Sequence, residues 1–267
     1  MSTVDKKRTE PLPASNVAGP GNVPEISLII PFYNEAENII ALIDEINTVL
    51  SGRSNYEIVA VDDGSTDDTA AVLSRLVKEA KYPLRVIRHA ANYGQSAAIH
   101  TGIQSARANW VVTLDGDGQN NPEDIFKLLE ARSKSGIRDL QLICGHRKKR
   151  RDNLIKIISS RVANSVRGWM LQDQTPDTGC GLKLIHRNTF LNLPFFDHMH
   201  RFLPALVRRA GGNILSIEVS HRPRTTGRSK YTLHNRLWVG IIDLLGMLWL
   251  IRRAKNPVTK EVSRYDD

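Results

Sequence analysis

A short acidic motif at residues 113–119 carries the side chains with the clearest potential for chemistry. It reads Thr-Leu-Asp-Gly-Asp-Gly-Gln and follows an apolar, β-prone run. Alternate side chains of an extended segment share one face, so Asp115, Asp117 and Gln119 are expected to converge. Two carboxylates this close repel each other unless a cation lies between them. Oxygen donors separated by glycines suit Mg²⁺ or Mn²⁺, so the motif predicts a site for one of these ions, with a simple polar turn as the alternative.

Each of the other early strands that the apolar pattern predicts is also followed by a cluster of polar residues. Strands are expected at residues 26–31, 56–61, 84–88 and 110–114, and the clusters follow at 33–35, 62–65, 89–94 and 115–119. Helical patterns lie between the strands, and these crossovers are long enough for a parallel sheet. Such sheets bind ligands at the carboxyl ends of their strands. The sequence therefore predicts an α/β fold, a Rossmann-like and mostly parallel sheet flanked by helices, with one ligand site at its edge.

The second half of the chain is less regular. Its pattern predicts a basic helix at 153–171, strands at 182–186 and 213–221, a short helix at 202–210 and a basic loop at 222–231. Proline-rich residues 1–24 read as a disordered tail. With no internal repeat or clear linker, the pattern predicts one catalytic domain at 25–235, an amphipathic helix at 236–254 and a tail at 255–267.

The most apolar run, residues 237–251, is expected to lie on a membrane rather than cross it. As a helix it would cover about 22 Å, against roughly 30 Å for a hydrocarbon core, and Asp243 falls at its middle. Tryptophans near its ends and flanking arginines suit a lipid interface: Arg236, Trp238, Trp249, Arg252 and Arg253. Burial in the domain or in an oligomer contact is the open alternative.

The charge balance favours anionic partners. The chain of 267 residues carries a formal net charge of +9, which attracts nucleotides, acidic lipid headgroups or nucleic acid. Aromatic residues do not alternate with the basic runs as stacking platforms would, which disfavours RNA. Cys144 and Cys180 lack paired spacing, which fits a reducing compartment and argues against a disulfide scaffold or zinc cluster. No apolar run follows the basic amino terminus, so no signal peptide is expected.

The clusters fit a nucleoside diphosphate held by a cation. Neither glycine-rich phosphate cradle of the familiar types follows a strand, which disfavours dehydrogenases and P-loop kinases. Asp63, at a neighbouring strand end, could bond a ribose hydroxyl or a base. A metal at the acidic motif would bridge the two phosphates and take up charge as the diphosphate departs. The residues therefore indicate group transfer from an activated nucleotide.

Seven motifs in order carry a resemblance to a known family. They are Pro31-x-Tyr33-Asn34-Glu35, Val61-Asp62-Asp63-Gly64-Ser65-x-Asp67, Asn92-x-Gly94, Asp115-x-Asp117-x-Gln119, Gly145-x-Arg147, Arg161-x-x-x-Ser165 and Arg224-x-x-Gly227-x-Ser229-Lys230-Tyr231. Together they resemble the family 2 glycosyltransferases of the GT-A fold, over residues 26 to about 235. Within that family the chain looks most like the polyprenyl-phosphate glycosyltransferases, of which dolichyl-phosphate mannose synthase is the familiar example.

The resemblance implies a role for each motif. The residues that would surround the nucleoside are Pro31, Tyr33, Glu35, Val61 and Asp63. Those that would hold the metal are Asp115, Asp117 and Gln119, with the Gly116 backbone close by. Those that would contact phosphates are Arg147, Arg224 and Lys230, while Arg161 and Ser165 would receive the acceptor phosphate. Arginine's fork suits phosphate oxygens, and Lys230 could close over the diphosphate as part of a lid. Two solvated basic loops are the plainer alternative.

The acceptor determines which residues must be catalytic. A lipid monophosphate has a second pKa of about 6, so it is mostly a dianion at neutral pH and needs positioning rather than a base. A hydroxyl acceptor would need a base, and Asp177 is the best candidate. The candidate catalytic residues are thus Asp117, Arg161 and Asp177.

The resulting hypothesis is an inverting glycosyltransferase that depends on Mg²⁺ or Mn²⁺. It would move a hexose-type sugar from a GDP- or UDP-linked donor to polyprenyl phosphate. We expect the protein to be peripheral, on the cytoplasmic face of a membrane. It would reach the acceptor lipid through the helix at 237–251, through a membrane partner protein or by homo-oligomerisation. The rivals are a family 2 enzyme acting on a lipid or saccharide hydroxyl, and a basic protein that binds anionic membrane or nucleic acid.

Overall fold

A seven-stranded sheet forms the centre of the protein. The structure is a computed structural model that describes residues 23–147, 168, 171, 175–222 and 233–255, without the side chains of 233–239. The strands are β1 (Ile26–Phe32), β2 (Tyr56–Asp62), β3 (Leu84–Arg88), β4 (Trp110–Thr113), β5 (Leu140–Arg147), β6 (Lys183–His186) and β7 (Asn213–Val219). They lie in the order β3-β2-β1-β4-β6-β5-β7. Neighbours are parallel except that β6 runs antiparallel to β4 and β5, so the predicted mostly parallel sheet is confirmed.

Helices separate the first five strands. They are α1 (Ala36–Leu50), α2 (Thr69–Glu79), α3 (Gln95–Ser105) and α4 (Asp124–Lys134), followed by α5 (Arg187–Leu191), a 3₁₀ turn (Met199–Arg201), α6 (Leu203–Arg209) and α7 (Leu233–Arg252). In α1 the apolar residues recur every three or four positions, so Ile39, Leu42, Ile43 and Ile46 share one buried face. This alternation of strands and amphipathic helices matches the sequence prediction.

Two apolar cores cover the two faces of the sheet. Because side chains alternate along a strand, Leu28 of β1 packs into the core shared with α1, α2 and α4, whereas Ile29 packs into the core shared with α3 and α6. All seven residues of β2 are buried, as expected for a parallel strand covered on both faces. The sheet therefore holds its loops on a rigid base.

The last helix, α7, lies against the second core by one face. Met247 is buried there, and Leu244 and Leu248 pack beside it. The middle aspartate of the helix, Asp243, has a carboxylate oxygen 3.0 Å from His198 Nδ1. The outward face exposes Ile241, Ile242, Leu245 and Trp249, by 42%, 66%, 58% and 62%. Among the described helices, none has the length and apolar character needed to cross a bilayer.

The second half departs from the prediction mainly in topology. The expected strands and helices appear as β6, β7, α6 and α7, with bounds shifted by a few residues. The sequence pattern gave no direction for β6, which enters between β4 and β5, and it did not predict α5 or the 3₁₀ turn. The predicted helix at 153–171 lies outside the described residues except for 168 and 171, and the basic loop lies outside them from residue 223.

Candidate functional site

Polar clusters after four strands lie at the same edge of the sheet. β1 pairs in parallel with β2 and β4, and β2 pairs in parallel with β3. Their carboxyl ends therefore meet, which is where open α/β sheets bind ligands. The clusters after β1, β2 and β3 are also hydrogen-bonded to one another. The backbone N–H of Asn34 donates to Ser65 Oγ at 3.0 Å, and Gly94 N donates to Asp63 Oδ2 at 2.8 Å. The predicted convergence of these segments is confirmed.

The turn after β1 brings two predicted nucleoside-binding residues to this edge. Asn34 has a φ of +51°, a conformation that asparagine tolerates because its side chain can bond locally. Here Asn34 Oδ1 accepts the Thr66 amide at 2.8 Å. Tyr33 is 36% exposed, and Glu35 accepts a bond from Asn38 Nδ2 at 2.6 Å. The turn therefore joins the ends of β1 and β2.

Two further residues predicted to surround the nucleoside lie within the strands, Pro31 in β1 and Val61 in β2. Pro31 is partly buried. The Val61 side chain is fully buried in the second core. Only the backbone of Val61 is therefore in a position to meet a ligand at the sheet edge.

Asp63 holds the segment that follows β3. Its Oδ1 accepts Tyr93 N at 2.9 Å and lies 2.7 Å from His89 Nδ1. Its Oδ2 accepts Asn92 Nδ2 at 3.0 Å and Gly94 N at 2.8 Å. The Asp63 side chain is only 4% exposed, so the segment from His89 to Gly94 covers it.

Asp115 and Asp117 lie close enough for their charges to interact, but residues 116–117 form a turn and not the extended segment that the sequence predicted. Burial raises the pKa of Asp115, and the field of Asp117 raises it further, while Lys183 and Arg147 oppose the shift. Gln95 Nε2 donates to Asp115 Oδ1 at 2.9 Å. A cation beside this pair would favour the charged form of both carboxylates.

Among the described residues, a divalent ion would find two carboxylates here but no third acidic, histidine or cysteine ligand. Within the described residues, no group of three or more such side chains is placed to hold a metal. Mg²⁺ and similar ions are commonly held by one or two carboxylates plus substrate phosphates, so the pair fits that pattern. Gly116, between the two aspartates, packs so tightly on β1 that a Cβ would lie 2.7 Å from Pro31 O.

Gln119, the predicted third ligand, connects the acidic motif to the chain after β7. Its Nε2 donates to Arg222 O at 3.3 Å, and Arg222 N donates to Gln119 O at 3.1 Å. The Arg222 guanidinium in turn donates to Glu45 Oε1 and Asn121 Oδ1, each at 2.7 Å. The acidic motif is thus tied to the point where the basic segment begins.

The predicted phosphate ligand and the predicted base are bound to each other. Arg147 donates from Nε and Nη2 to the two carboxylate oxygens of Asp177, at 2.6 and 2.9 Å. Both side chains are largely buried, at 11% and 15% exposure. Burial works against the charge of Arg147, yet the bonds to Asp177 and the charges of Asp177, Cys180 and Asp115 together outweigh it and raise the pKa of the guanidinium. Asp177 therefore serves Arg147 as a charge partner in this structure.

Residues 177–183 also pack behind Asp115. Two residues of this segment, Gly181 and Lys183, were not predicted to belong to the site. Gly181 lies so close that a Cβ on it would overlap the Asp115 carboxylate, and Gly181 O accepts Thr113 Oγ1 at 2.6 Å. Lys183 is 4% exposed, and its ammonium donates to Cys180 O. A lysine inside the apolar run Leu182-Lys183-Leu184 was the available signal.

A second missed group links the site to the 3₁₀ turn. His200 Nδ1 lies 2.7 Å from Ser96 Oγ, one residue after Gln95. Burial lowers the pKa of His200 well below its usual value, and the neighbouring Lys183 and Arg201 lower it further. The pairing of His200 with Ser96 could not be predicted from the sequence, because the two residues lie over a hundred positions apart.

Four predicted site residues cannot be placed. Arg161, Ser165, Arg224 and Lys230 lie outside the described residues. Their predicted roles at the acceptor phosphate and the diphosphate stay predictions.

Comparison with known proteins agrees with this geometry. The Glycosyl transferase family 2 profile matches residues 27–193. The chain is 34% identical over 237 residues to the dodecaprenyl-phosphate galacturonate synthase of Rhizobium johnstonii, covering 87% of this chain and 69% of that protein. It is 32% identical over 217 residues to the undecaprenyl-phosphate 4-deoxy-4-formamido-L-arabinose transferase of Sodalis glossinidius, covering 80% of this chain but 65% of that protein. The chain thus spans about two thirds of the length of these relatives.

Solved structures share the fold at lower identity. A mannosyltransferase from Pyrobaculum calidifontis, in complex with GDP-Man and Mn²⁺, superposes with a TM-score of 0.62 at 20% identity, covering 88% of this chain and 66% of that one. Glucosyl-3-phosphoglycerate synthase from Mycobacterium tuberculosis, with Mn²⁺ and UDP-glucose, gives a TM-score of 0.61 at 19% identity, covering 85% and 79%. The predicted family and GT-A fold are confirmed.

Proposed function

The chain belongs to glycosyl transferase family 2, and from that premise we propose that it moves a sugar from a nucleoside-diphosphate donor to a polyprenyl phosphate. Two of its relatives are named for sugar transfer to dodecaprenyl or undecaprenyl phosphate. The observation that carries the proposal is the neighbouring pair Asp115 and Asp117 at the ligand-binding edge of the sheet. The pair is suited to holding a diphosphate through a shared cation.

Asp115 and Asp117 would hold Mg²⁺ or Mn²⁺, with the Gln119 side-chain oxygen as a further candidate ligand. The ion, when bound, supplies positive charge to the departing nucleoside diphosphate. The protein fixes Asp115 from two sides: Gln95 donates to Asp115 Oδ1 at 2.9 Å, and Gly181 packs on the same carboxylate. This support keeps the Asp115 carboxylate in place before the donor arrives, so little reorganisation of this ligand is needed at transfer.

Direct displacement on the sugar is the reaction that this site would support. A phosphate oxygen of the acceptor forms the new bond to the anomeric carbon, and the bond from that carbon to the donor's β-phosphate oxygen breaks. The leaving electron pair passes to the nucleoside diphosphate, and the carbon inverts. Arg147, with Arg161, Ser165, Arg224 and Lys230, is proposed to bind and orient the phosphates.

A phosphate acceptor is favoured over a hydroxyl acceptor by the state of Asp177. A base must have a free lone pair near the proton that it takes. The Asp177 carboxylate instead accepts four bonds: two from the Arg147 side chain, at 2.6 and 2.9 Å, and two from the backbone N–H groups of Arg147 and Gly179, at 3.4 and 3.2 Å. A phosphate dianion needs no such base, so Asp177 would act by holding Arg147. The hydroxyl reaction stays the second candidate.

The outward face of α7 is proposed to rest on the cytoplasmic surface of a membrane. Ile242, Leu245 and Trp249 are each more than half exposed on this face, and the exposed Arg252 and Arg253 follow at its end. An apolar face with adjacent basic residues binds a lipid interface that carries anionic headgroups. The enzyme would thereby meet an acceptor whose chain is buried in the bilayer.

Transfer is tested directly with a panel of donors. Purified protein is incubated with Mn²⁺, undecaprenyl or dolichyl phosphate, and GDP- or UDP-sugars labelled in the sugar, and label is counted in the organic phase. We expect at least one donor to label the lipid in a reaction that chelator stops and Asp117→Ala abolishes. Label in the organic phase that survives chelator or Asp117→Ala would contradict the proposal.

A further inference from the structure

We propose that Arg222 positions the side chain of Gln119 for the divalent ion, and that Glu45 and Asn121 hold Arg222 for this task. The inference deepens the proposed function and rests on it, because it concerns the third candidate ligand of the same cation. Arg222 is a positioning residue in this account, since it acts through Gln119.

The contact with Arg222 decides which end of the Gln119 amide is available to a cation. Gln119 Nε2 lies 3.3 Å from Arg222 O. A carbonyl oxygen can only accept a hydrogen bond, so the end of the amide that faces it must be the NH₂ group. The other end, Oε1, is the one that a hard cation binds. The Arg222 carbonyl therefore selects the amide orientation that leaves the oxygen for the metal.

A second bond fixes the Arg222 backbone to the acidic motif. Arg222 N donates to Gln119 O at 3.1 Å, so Arg222 bonds Gln119 through both its N–H and its C=O. Gln119 N in turn donates to Asp117 Oδ1 at 3.2 Å. Two of the candidate ligands and Arg222 therefore form one hydrogen-bonded unit.

The Arg222 side chain joins this unit to α1. Its Nη1 donates to Glu45 Oε1 and its Nη2 donates to Asn121 Oδ1, each at 2.7 Å. Glu45 precedes Ile46, which is fully buried in the core between α1 and the sheet, so the partner of the guanidinium stands on a firmly packed helix. Two bonds from different nitrogens use the planar fork of arginine, which a lysine ammonium cannot reproduce.

Another anchor lies two residues before Arg222. Ser220 N donates to Asp124 Oδ2 at 2.6 Å, and Asp124 is only 1% exposed. The chain that leaves β7 is thus bonded to residues 115–124 at two positions. Ser220 fixes its path, and the guanidinium of Arg222 fixes the residue that contacts the candidate ligand.

The ion pair of Arg222 with Glu45 is too exposed to act mainly through stability. The two side chains are 41% and 33% exposed, and pairs this exposed contribute little to the free energy of folding. Removing the pair should therefore leave the fold intact and loosen the orientation of Gln119. Loss of a group that orients a metal ligand typically weakens metal binding by about 10- to 100-fold.

Titration of the full chain with Mn²⁺, in the presence of excess UDP or GDP, tests this role by a double-mutant cycle. Arg222→Ala is expected to weaken Mn²⁺ binding by about 10-fold in the wild type and much less in the Gln119→Ala background. Removing a positive charge would by itself favour Mn²⁺, so this loss cannot come from charge alone. Equal losses in the two backgrounds, or no loss from Arg222→Ala, would overturn the inference.

Glu123→Ala is the matched control for Glu45→Ala. Glu123 also forms an exposed ion pair, with Arg53 at 3.1 Å and with side chains 52% and 51% exposed, but it does not hold Arg222. Glu45→Ala should weaken Mn²⁺ binding as Arg222→Ala does, and Glu123→Ala should bind like the wild type. Equal losses in the two glutamate variants would assign the effect to surface charge and overturn the inference.

The anchoring of Arg222 is also measurable without metal. The Arg222 N–H, which donates to Gln119 O, should exchange its hydrogen faster in metal-free Glu45→Ala than in the metal-free wild type. Unchanged exchange would overturn the role of Glu45 as an anchor. A wild-type protein that binds no Mn²⁺ with either nucleotide would overturn the proposed function and this inference with it, whereas Mn²⁺ binding that ignores Arg222→Ala would overturn the inference alone.

Discussion

Single residues decide which acceptor chemistry the site can perform. Asp177 is the candidate base for a hydroxyl acceptor, but its carboxylate is engaged on both oxygens by Arg147. Removing one partner of a buried pair leaves the other charge unpaired, which costs about 3–5 kcal/mol of stability. The two residues should therefore behave as one unit, both in stability and in transfer.

We predict that Arg147→Met and Asp177→Asn do not have additive effects. Arg147→Met should destabilise the protein, because it leaves Asp177 charged and unpaired, and adding Asp177→Asn should restore part of the loss. Denaturant unfolding measures the stability, and the transfer assay measures the rate. In the Arg147→Met background, Asp177→Asn should reduce transfer little further. A second full loss of rate in that background would instead identify Asp177 as a base.

We predict that Gly181→Ala disrupts the acidic pair. The added Cβ would overlap the Asp115 carboxylate, so that side chain must move away from its neighbours. Mn²⁺ affinity in the presence of nucleotide should fall, as measured by titration calorimetry.

The matched control for Gly181→Ala is Gly179→Ala, in the same segment. A Cβ at Gly179 would come no closer than 3.4 Å to Arg147, which is ordinary van der Waals contact. Equal Mn²⁺ affinity in the two variants would mean that the Asp115 position does not matter for metal binding.

The sequence could reveal some site residues and not others. Asp115 and Asp117 could be predicted to lie at the site because they follow a buried strand, but the expected extended segment is a turn at residues 116–117. Gln95 could not be predicted, because its partner Asp115 is distant in sequence and close only in the fold, and Lys183 gave only the signal of a lysine within an apolar strand. Asp63 was predicted to be at the site, but its four hydrogen bonds depend on the path of the segment from His89 to Gly94, which no local pattern specifies.

At the scale of elements, the segment before α6 is tied to α3 through a buried histidine. His200, in the 3₁₀ turn, pairs with Ser96 at 2.7 Å, and burial lowers its pKa well below 6.5. The unfolded chain binds a proton at this histidine more readily than the folded protein does. The contribution of His200 to stability is therefore complete above pH 6.5 and is lost as the pH falls below it.

We predict that stability declines between pH 7 and pH 5 and that His200→Gln reduces the decline. A single group that takes up one proton on unfolding contributes at most about 1.4 kcal/mol per pH unit. Urea unfolding at a series of pH values measures the slope. His100 and His186 also have lowered pKa values through burial, so part of the slope should persist. An unchanged slope in His200→Gln would show that His200 does not titrate in this way.

The elements of the first half could be predicted because their periodicity is local. In β1 and β2 an apolar run identifies a strand buried on both faces, and in α1 the three-to-four spacing identifies a helix face. The position of β6 could not be predicted, because its pairing with β4 and β5 joins segments about forty to seventy residues apart. Its antiparallel direction depends on the path of the chain between β5 and β6.

At the scale of the whole molecule, one helix face has no protein partner among the described residues. The inner face of α7 is packed on the core and joined to His198 through Asp243, at 3.0 Å. Its outer face presents Ile242, Leu245 and Trp249. The sequence predicted this amphipathic helix, but only the fold shows which face remains exposed.

We predict that Ile242→Glu with Leu245→Glu reduces binding to vesicles of phosphatidylcholine and phosphatidylglycerol, measured by co-sedimentation. Val77→Glu is the matched control, because Val77 is an exposed apolar residue, at 42%, on α2. Binding of the wild type should weaken with salt, since basic residues contribute. Vesicle binding unchanged by the α7 variant would contradict the membrane assignment, and a change of oligomeric state instead would assign the face to self-association.

Asp115 and Asp117 are proposed to bind the donor's diphosphate through a divalent cation, and the rest of the proposed function depends on this contact. The most direct test is a crystal structure with Mn²⁺ and either UDP or GDP, using the anomalous signal of manganese to locate the ion. We predict a manganese peak in contact with both carboxylates and with the diphosphate. A diphosphate bound elsewhere, with Asp115 and Asp117 turned away from it, would contradict the account.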